Sequence, residues 1–536
     1  MDFSSFSLLY PDAETLGAHF AGKDQPDIAP EVLDQLGLSE ILGIRSRDLT
    51  DLFTLNPAVI RYREETFADM MENDCLSAML EKLVPVLRDI LELRRLEADS
   101  AEGESYLSAI TEIELYTSSV AILYDGLREA KGDLHGTAFL SLAELVEELV
   151  ESDYYRELNE KLNDLTERVR EIRSVTIGVN LDAQLRPKEA GVLSINPLPF
   201  KSGDVLEKIL RFRFKNDEYT CIANLVPFAK NQTDNQKTAL TLAFNSAIND
   251  VYRSSLHSWK KIIETYVLEK TDFLLDLMPE FELLVRGTAL MKRLGAKNCP
   301  LCRPEIRPMN EVAFDARDLA NPAVALKIDG EIVPNDVTFD DKARVYVLSG
   351  PNRGGKSVVT CAVGLAVAML QLGLYVPARS AVISPADAIF THFPTGAEDT
   401  IDKGRLGEEC ARLGVIFDRV TEYSLVLLDE SFSSTGAYEA SYIAAEVLAG
   451  FARVGCRTIF STHLHELAAR LEDEAFRKQT VGAYPIDTLV AGMEAGQRSF
   501  KILRKHPDGK SYARDIAVKY GLTYDSILDK INHNHS

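Results

Sequence analysis

The chain has 536 residues, more than the roughly 250 to 300 over which one hydrophobic core grows, so at least two domains are expected. A composition of 46% hydrophobic and 26% charged residues excludes a disordered or fibrous chain, and seven dispersed cysteines exclude a disulfide framework and suit a reducing compartment. The formal charge of -23 excludes a surface that attracts nucleic acid throughout, although a local basic groove is compatible with it.

Residues 1–50 read as a short N-terminal helical segment, and its start, MDFSSFSLLYPDAE, lacks the basic-then-apolar layout of a secretory signal. No stretch approaches the roughly 18 uninterrupted apolar residues that a membrane span needs, so a cytoplasmic protein with no membrane partner is expected. From about residue 50 to 175 the pattern is helical. Within it Leu158, Leu162, Leu165, Val169 and Ile172 follow the 4,3 spacing of a heptad seam, which suits a short coiled coil or an amphipathic helix on one neighbour. The segment from Val175 to Phe200 alternates through Val175, Ile177, Val179 and Leu181 and reads as extended chain. The basic cluster Arg211, Arg213 and Lys215 reads as a solvated face. Long helices are expected again over residues 236–294, with a break at Pro279. Residues 51–304 therefore form an elongated, mostly helical region. Cys299 and Cys302 are its only clustered cysteines. A structural zinc site wants four ligands, and no second CxxC or His pair accompanies these two, which read as loop cysteines.

After the Pro-rich stretch Pro300 to Pro308 the grammar changes. The apolar runs RVYVLSG, SLVLLDE and CRTIFSTH alternate with helical segments, which implies a mostly parallel sheet covered by helices over residues 305–536. Gly350 to Ser357 reads GPNRGGKS, the pattern GxxxxGK[ST], placed after a strand and at the start of a helix as a phosphate loop requires. In such a loop the backbone N–H groups curl around phosphates, Lys356 reaches the β and γ oxygens, and Ser357 ligates Mg2+. Arg353, inside the loop, reads as solvent-facing. Leu425 to Leu428 form an apolar strand ending in Asp429, a ligand for Mg2+, and Glu430, a base for water. His463 ends a third strand, where it can sense the γ-phosphate. These residues predict an Mg2+-dependent ATPase.

Read together in this order, GPNRGGKS, LGLYVPA (Leu372 to Ala378), SLVLLDE and STHLHEL resemble the MutS family of mismatch-repair ATPases. The likeness covers nearly all of residues 332–522, including the IVPND segment and SYARDIAVKYGL. In the helical half VIRYREE and VTIGVNLDAQLRP look like the lever and clamp of short bacterial MutS-like proteins. The resemblance implies an α/β P-loop (ABC-type) ATPase domain at the C-terminus, with a dimerisation segment at its end, and an elongated α-helical lever and clamp region. It further implies a homodimer that sandwiches ATP and closes long helices around DNA, as in mismatch repair. Glu430 and His463 would take the base and switch positions, and Ser357 and Asp429 those of the metal. Gly350, Pro351, Asn352, Gly354, Gly355, Lys356, Ser357 and Val358 would hold the phosphates, Ile332 and Asn335 would flank the adenine, and Ser433 to Tyr438 would lie at the dimer interface.

Two departures stand out. The trans signature, usually a Ser-Thr pair after Gly-Arg, reads Gly404, Arg405, Leu406, Gly407, Glu408, Glu409. No Phe-x-Glu wedge tripeptide occurs, and neither a mismatch-reading domain before residue 50 nor an appended nuclease after Ser536 is expected. The leading expectation is an ATP-switched DNA clamp. Its rivals are an ABC-type ATPase whose arms grip a protein partner, and a P-loop protein that binds nucleotide without turnover.

Overall fold

A computed structural model describes residues 6–98, 106–170, 174–181, 183, 187–196, 201–202, 220–221, 272–351, 353–394, 404–474, 476, 480–494 and 497–505. The chain divides into two contact units, one built on residues 73–134 and 139–281, the other on residues 5–72, 135–138 and 282–536. In chain order the N-terminal helices are α1 (Ala13–Phe20), α2 (Pro30–Leu36), α3 (Leu38–Leu42), α4 (Ser46–Thr50) and α5 (Pro57–Glu72).

The first unit holds α6 (Asp74–Ala98), α7 (Tyr106–Ala130), α8 (Thr137–Glu151) and α9 (Asp153–Arg170). Leu80, Leu83, Leu87 and Ile90 of α6 and Ile113, Tyr116, Val120, Leu123 and Leu127 of α7 are buried at three- and four-residue spacing, which makes one apolar stripe on each helix. Leu158 and Leu162 of the heptad seam are buried on α9. The side chains of Leu165 and Val169, and Ile172 itself, lie outside the described residues. The alternating segment forms β1 (Ser174–Leu181), antiparallel to β2 (Pro187–Asn196), with Val179 opposite Ala190. Two-residue strands β3 (Lys201–Ser202) and β4 (Thr220–Cys221) follow. Arg211, Arg213, Lys215 and residues 236–271 lie outside the described residues. Next come α10 (Asp272–Asp276) and α11 (Met278–Ala296). The helix break falls at Leu277, because Pro279 occupies the first turn of α11, where its missing N–H costs nothing.

The second unit carries two sheets. Strands β5 (Glu305–Ile306), β6 (Phe314–Leu319), β7 (Asn335–Phe339) and β9 (Ser380–Ile383) form a mixed sheet in the order β5-β9-β6-β7. The larger sheet has the order β10-β11-β12-β8-β13-β14, with β8 (Val345–Ser349), β10 (Ile389–His392), β11 (Leu425–Asp429), β12 (Arg457–Ser461), β13 (Ile486–Glu494) and β14 (Gln497–Arg504). Its first five strands are parallel and β14 is antiparallel. Leu425 to Leu428 are all fully buried, as expected of a strand covered on both faces. In chain order α12 (Pro322–Lys327) lies between β6 and β7 and α13 (Lys356–Gln371) between β8 and β9, followed by α14 (Gly404–Arg419), α15 (Ala437–Val454) and α16 (His465–Glu472).

Helix α13 is apolar on nearly every side and buries Val359, Val363, Leu365 and Met369. A Cβ at Gly364 would lie 2.7 Å from both Leu36 Cδ2 and Leu427 Cδ1, so only glycine lets α13 sit this close to β11 and α2. The N-terminal helices thus belong to the same core. Asp27 bridges in parallel to Ala388 beside β10. The fully buried Arg63 of α5 donates to the carbonyls of Leu9 (3.1 Å), Leu52 (2.5 Å) and Gln371 (3.4 Å). A second buried guanidinium, Arg457, donates to Ser384 O (2.9 Å), Pro385 O (3.1 Å) and Tyr423 O (3.1 Å), tying the start of β12 to the loops beside it.

Glu64, one residue along α5 from Arg63, is 3% exposed, and burial pushes its carboxyl up to about 8. A carboxyl raised in the folded chain stabilises it below the unfolded value near 4.5, and that contribution is lost as pH rises through about 8. Glu64→Gln is therefore expected to gain stability over the wild type by on the order of a few kcal/mol between pH 5 and 8.5. Urea unfolding of both proteins at the two pH values checks this, and a constant difference would sink the idea.

Candidate functional site

Three neighbouring parallel strands, β11, β12 and β8, end on one side of the sheet, and the residues that follow each of them meet there. Open parallel sheets place ligand crevices at the carboxyl ends of their strands. After β8, residues 350–351 and 353–355 precede α13, which the chain enters at Lys356. Gly355, the N-cap, has φ +91, a left-handed conformation that L side chains rarely adopt, and it aims the first turn of α13 back at the strand ends. Lys356 is only 5% exposed. Its Nζ donates to the carbonyls of Gly350 (3.1 Å) and Pro351 (3.3 Å) and lies 3.6 Å from Glu430 Oε1.

Glu430 follows β11 with φ +49 and donates its N–H to Ser461 O at 2.8 Å. Phe432, two residues on, has φ +64 and is buried. Two non-glycine residues in the left-handed region within three positions are costly, and the cost is met here by burial and by the bond to β12. The other oxygen of Glu430, Oε2, pairs with His463 Nδ1 just past β12. Lys356, Glu430 and His463 thus form one connected cluster, each supplied by a different strand end.

Beside it, burial raises the Asp429 carboxyl above the usual range, against hydrogen bonds from Ser357 and Ser461 and the charge of Lys356. Asp429 Oδ1 is buried with no hydrogen-bond partner among the described residues. A free carboxylate lone pair next to a serine hydroxyl fits a hard cation. Mg2+ characteristically takes one or two protein oxygens and completes its shell with water and phosphate. No group of three or more His, Cys, Asp or Glu able to hold a metal occurs among the described residues.

A cavity of about 800 Å3 opens in front of the cluster. Ile332, Asn335, Gly354, Gly355, Lys356, Ser357, Val358, Glu430 and His463 line it, so these predicted residues come together. Arg353, exposed and with φ +60, lines it as well. Gly350 and Pro351 are buried behind the loop, and Asn352 lies outside the described residues. The amide of Asn335 is fully engaged. Its Nδ2 donates to Val333 O and Phe500 O, both at 3.2 Å, and its Oδ1 accepts from Ile502 N at 2.6 Å.

Phe500 was not expected from the sequence. It is 44% exposed, has φ +56 on β14, and faces the cavity with Val324, Ile328 and Ile332, giving the far wall an aromatic member. Its only sequence signal is an apolar residue in an alternating strand far from the loop. His392, at the end of β10, was also missed. Its buried ring is bonded through Nδ1 to Ser431 Oγ at 2.7 Å, and burial lowers it to about 4, so it is neutral at physiological pH and steadies the residue after Glu430. Cys299 and Cys302 are free thiols that burial pushes up to about 11, and Cys302 bridges to Val376. The segment SYARDIAVKYGL lies outside the described residues.

Two family models match the chain: MutS domain V over residues 346–515, and MutS2 N-terminal domain over residues 56–296. The chain is 27% identical over 481 residues to the DNA mismatch repair protein MutS of Fervidobacterium nodosum, a match that covers 82% of this chain and 53% of that protein. It is 36% identical over 182 residues to Msh6 of Gallus gallus, covering 31% of this chain and 14% of the relative. To Msh3 of Mus musculus it is 34% identical over 242 residues, covering 44% and 22%. The chain therefore spans about half the length of the Fervidobacterium relative and less of the two animal proteins.

Proposed function

We propose that this chain, which belongs to the MutS family by both of its matched regions, is an Mg2+-dependent ATPase that uses ATP to open and close a dimeric clamp on DNA. The observation that carries the ATPase is the cluster of Lys356, Glu430 and His463 beside Ser357 and Asp429 at one cavity. An α/β P-loop domain of the ABC type over residues 305–536 and a lever and clamp over residues 51–304 fit that reading.

The chemistry follows from the side chains. Lys356 serves either Glu430 or a phosphate oxygen, so phosphates entering the loop draw the ammonium away and leave the Glu430 carboxylate to take a proton from water. His463, bonded to the other oxygen of Glu430, holds that carboxylate in place. Ser357 and Asp429 would hold Mg2+, which would offset the charge of the phosphates. The apolar wall with Ile332 and Phe500 suits a purine.

A homodimer is supported by the exposed aromatic Tyr438, 74% exposed at the end of the Ser433 to Tyr438 segment. In the helix α14, Leu406 to Glu409 replace the hydroxyls that the family places after Gly-Arg, so the partner's phosphate would meet a different group.

DNA binding rests on family membership and on the helical arms. Filter binding over a salt series tests it, because DNA held through phosphates loses affinity steeply as salt rises. No loss with salt, or no binding, favours the rival in which the arms grip a protein, a reading that the charge of -23 supports. With no wedge tripeptide in the sequence, backbone contacts give shape preference only. A one-base mismatch is expected to bind less than about tenfold better than matched duplex, and branched or looped DNA to bind better than either. Competition among matched, mismatched and four-way substrates at one salt concentration decides this.

A further inference from the structure

Away from the strand ends, a second cavity of about 710 Å3 lies between the start of α5 and the segment Arg303 to Pro308. Its cationic residues are Arg61, Arg303 and Arg307. Arg307 is spoken for, since it pairs with Glu305 at 2.6 Å and Glu311 at 3.8 Å. Arg61 and Arg303 are exposed and form no ion pair within 4.0 Å among the described residues. The N-terminal end of the sixteen-residue helix α5 adds positive potential to the same cavity.

Glu64 lines this cavity, is 3% exposed, and has Oε1 buried without a hydrogen-bond partner among the described residues. Leaving a polar atom in that condition is costly, and it points to a ligand that supplies the missing bond. Two guanidinium groups at the mouth select an anion. A carboxyl that keeps its proton beside them adds a donor for one of the anion's oxygens. A phosphate monoester or inorganic phosphate offers acceptor oxygens to the two guanidinium groups and to a protonated carboxyl at once.

We propose that this cavity binds a phosphate monoester or inorganic phosphate, held by Arg61 and Arg303 with the Glu64 carboxyl as the hydrogen-bond partner at its inner end. Burial pushes Glu64 up to about 8 despite the opposing charges of Arg303 and Arg61, so near neutrality it donates to the anion. The other titratable groups facing it are Glu65 on α5, Cys302 and Tyr375. The thiol and the phenol are both raised by burial and stay neutral through this range. The site is separate from the nucleotide cavity and stands or falls independently of the ATPase reading.

The test is calorimetric titration of the full chain with inorganic phosphate in a saturating non-hydrolysable ATP analogue and Mg2+, which fills the γ position and keeps the nucleotide cavity out of the measurement. One additional phosphate site is expected, and it should weaken at least about tenfold as pH rises through about 8, where Glu64 loses the proton that it donates. The double variant Arg61→Ala/Arg303→Ala should bind phosphate at least about tenfold more weakly with ADP affinity unchanged. Both side chains are exposed, so the fold is not at risk. Glu64→Gln, which still donates and stays neutral, should keep its phosphate affinity as pH rises through about 8. Absence of the extra site, or unchanged phosphate affinity in the double variant, overturns the proposal, as does a loss of affinity with rising pH that Glu64→Gln leaves in place. Competition by duplex DNA with 5′-phosphorylated ends, compared with 5′-hydroxyl ends, separates the sources. Displacement only by the former identifies a DNA end, and no displacement by either identifies a free phosphate.

Discussion

Lys356→Ala is expected to weaken ATP binding by about a hundredfold to ten-thousandfold. Two charge-assisted bonds to phosphate oxygens are each worth roughly 1.5 to 3 kcal/mol, and each 1.4 kcal/mol is a factor of ten in affinity. The residue is well placed for the loss to be near the upper end. It is 5% exposed, so the vacated space admits little water to replace the ammonium, and the loop carbonyls of Gly350 and Pro351 lose their donor as well. Equilibrium binding of a fluorescent ATP analogue reads the effect directly. Wild-type affinity in the variant would mean that the loop does not hold phosphate.

Glu430→Gln separates binding from turnover. The amide keeps the shape of the carboxylate and can still bond to His463, but it cannot accept a proton from water. Turnover is expected to fall by about a hundredfold to ten-thousandfold, the usual contribution of a general base. Binding should persist, because removing the negative charge beside Lys356 leaves the ammonium freer to meet phosphate. The variant should then accumulate as a closed, ATP-loaded dimer. Steady-state hydrolysis together with size-exclusion chromatography in ATP measures both effects, and turnover at the wild-type rate rejects Glu430 as the base.

What the sequence made legible is local. GPNRGGKS was readable because a strand, a glycine turn and a helix N-terminus follow one another within a dozen residues, and Asp429 with Glu430 because an apolar run announces the strand whose end they occupy. The extended segment after α9 was readable from strict alternation, though alternation does not say that it folds back as a hairpin. Phe500 and the engaged amide of Asn335 were not readable, because their contact joins residues 165 apart in the chain. The same limit hid the partnership of residues 6–72 with the larger sheet. Helical periodicity tells which face of α2 or α5 is buried, and gives no hint that the face opposite is β10 or the end of α13. His392 went unnoticed because a lone histidine at a strand end carries no spacing signal, and only burial reveals its bond to Ser431.

The Arg63 guanidinium has a consequence for how the protein comes off the ribosome. Its acceptors Leu9 and Leu52 emerge early, but Gln371 lies 308 residues further along the chain. At about 5 to 20 residues per second of synthesis, the N-terminal helices wait on the order of fifteen seconds to a minute for the helix they pack against. During that interval Leu33, Leu36 and Phe53, fully covered or nearly so in the finished fold, lack the part of their cover that the later helix and sheet supply. A nascent chain stalled before α13 should therefore be bound by chaperones and cut readily within its first seventy residues, and the same stretch should become protease-resistant once residue 371 has cleared the exit tunnel.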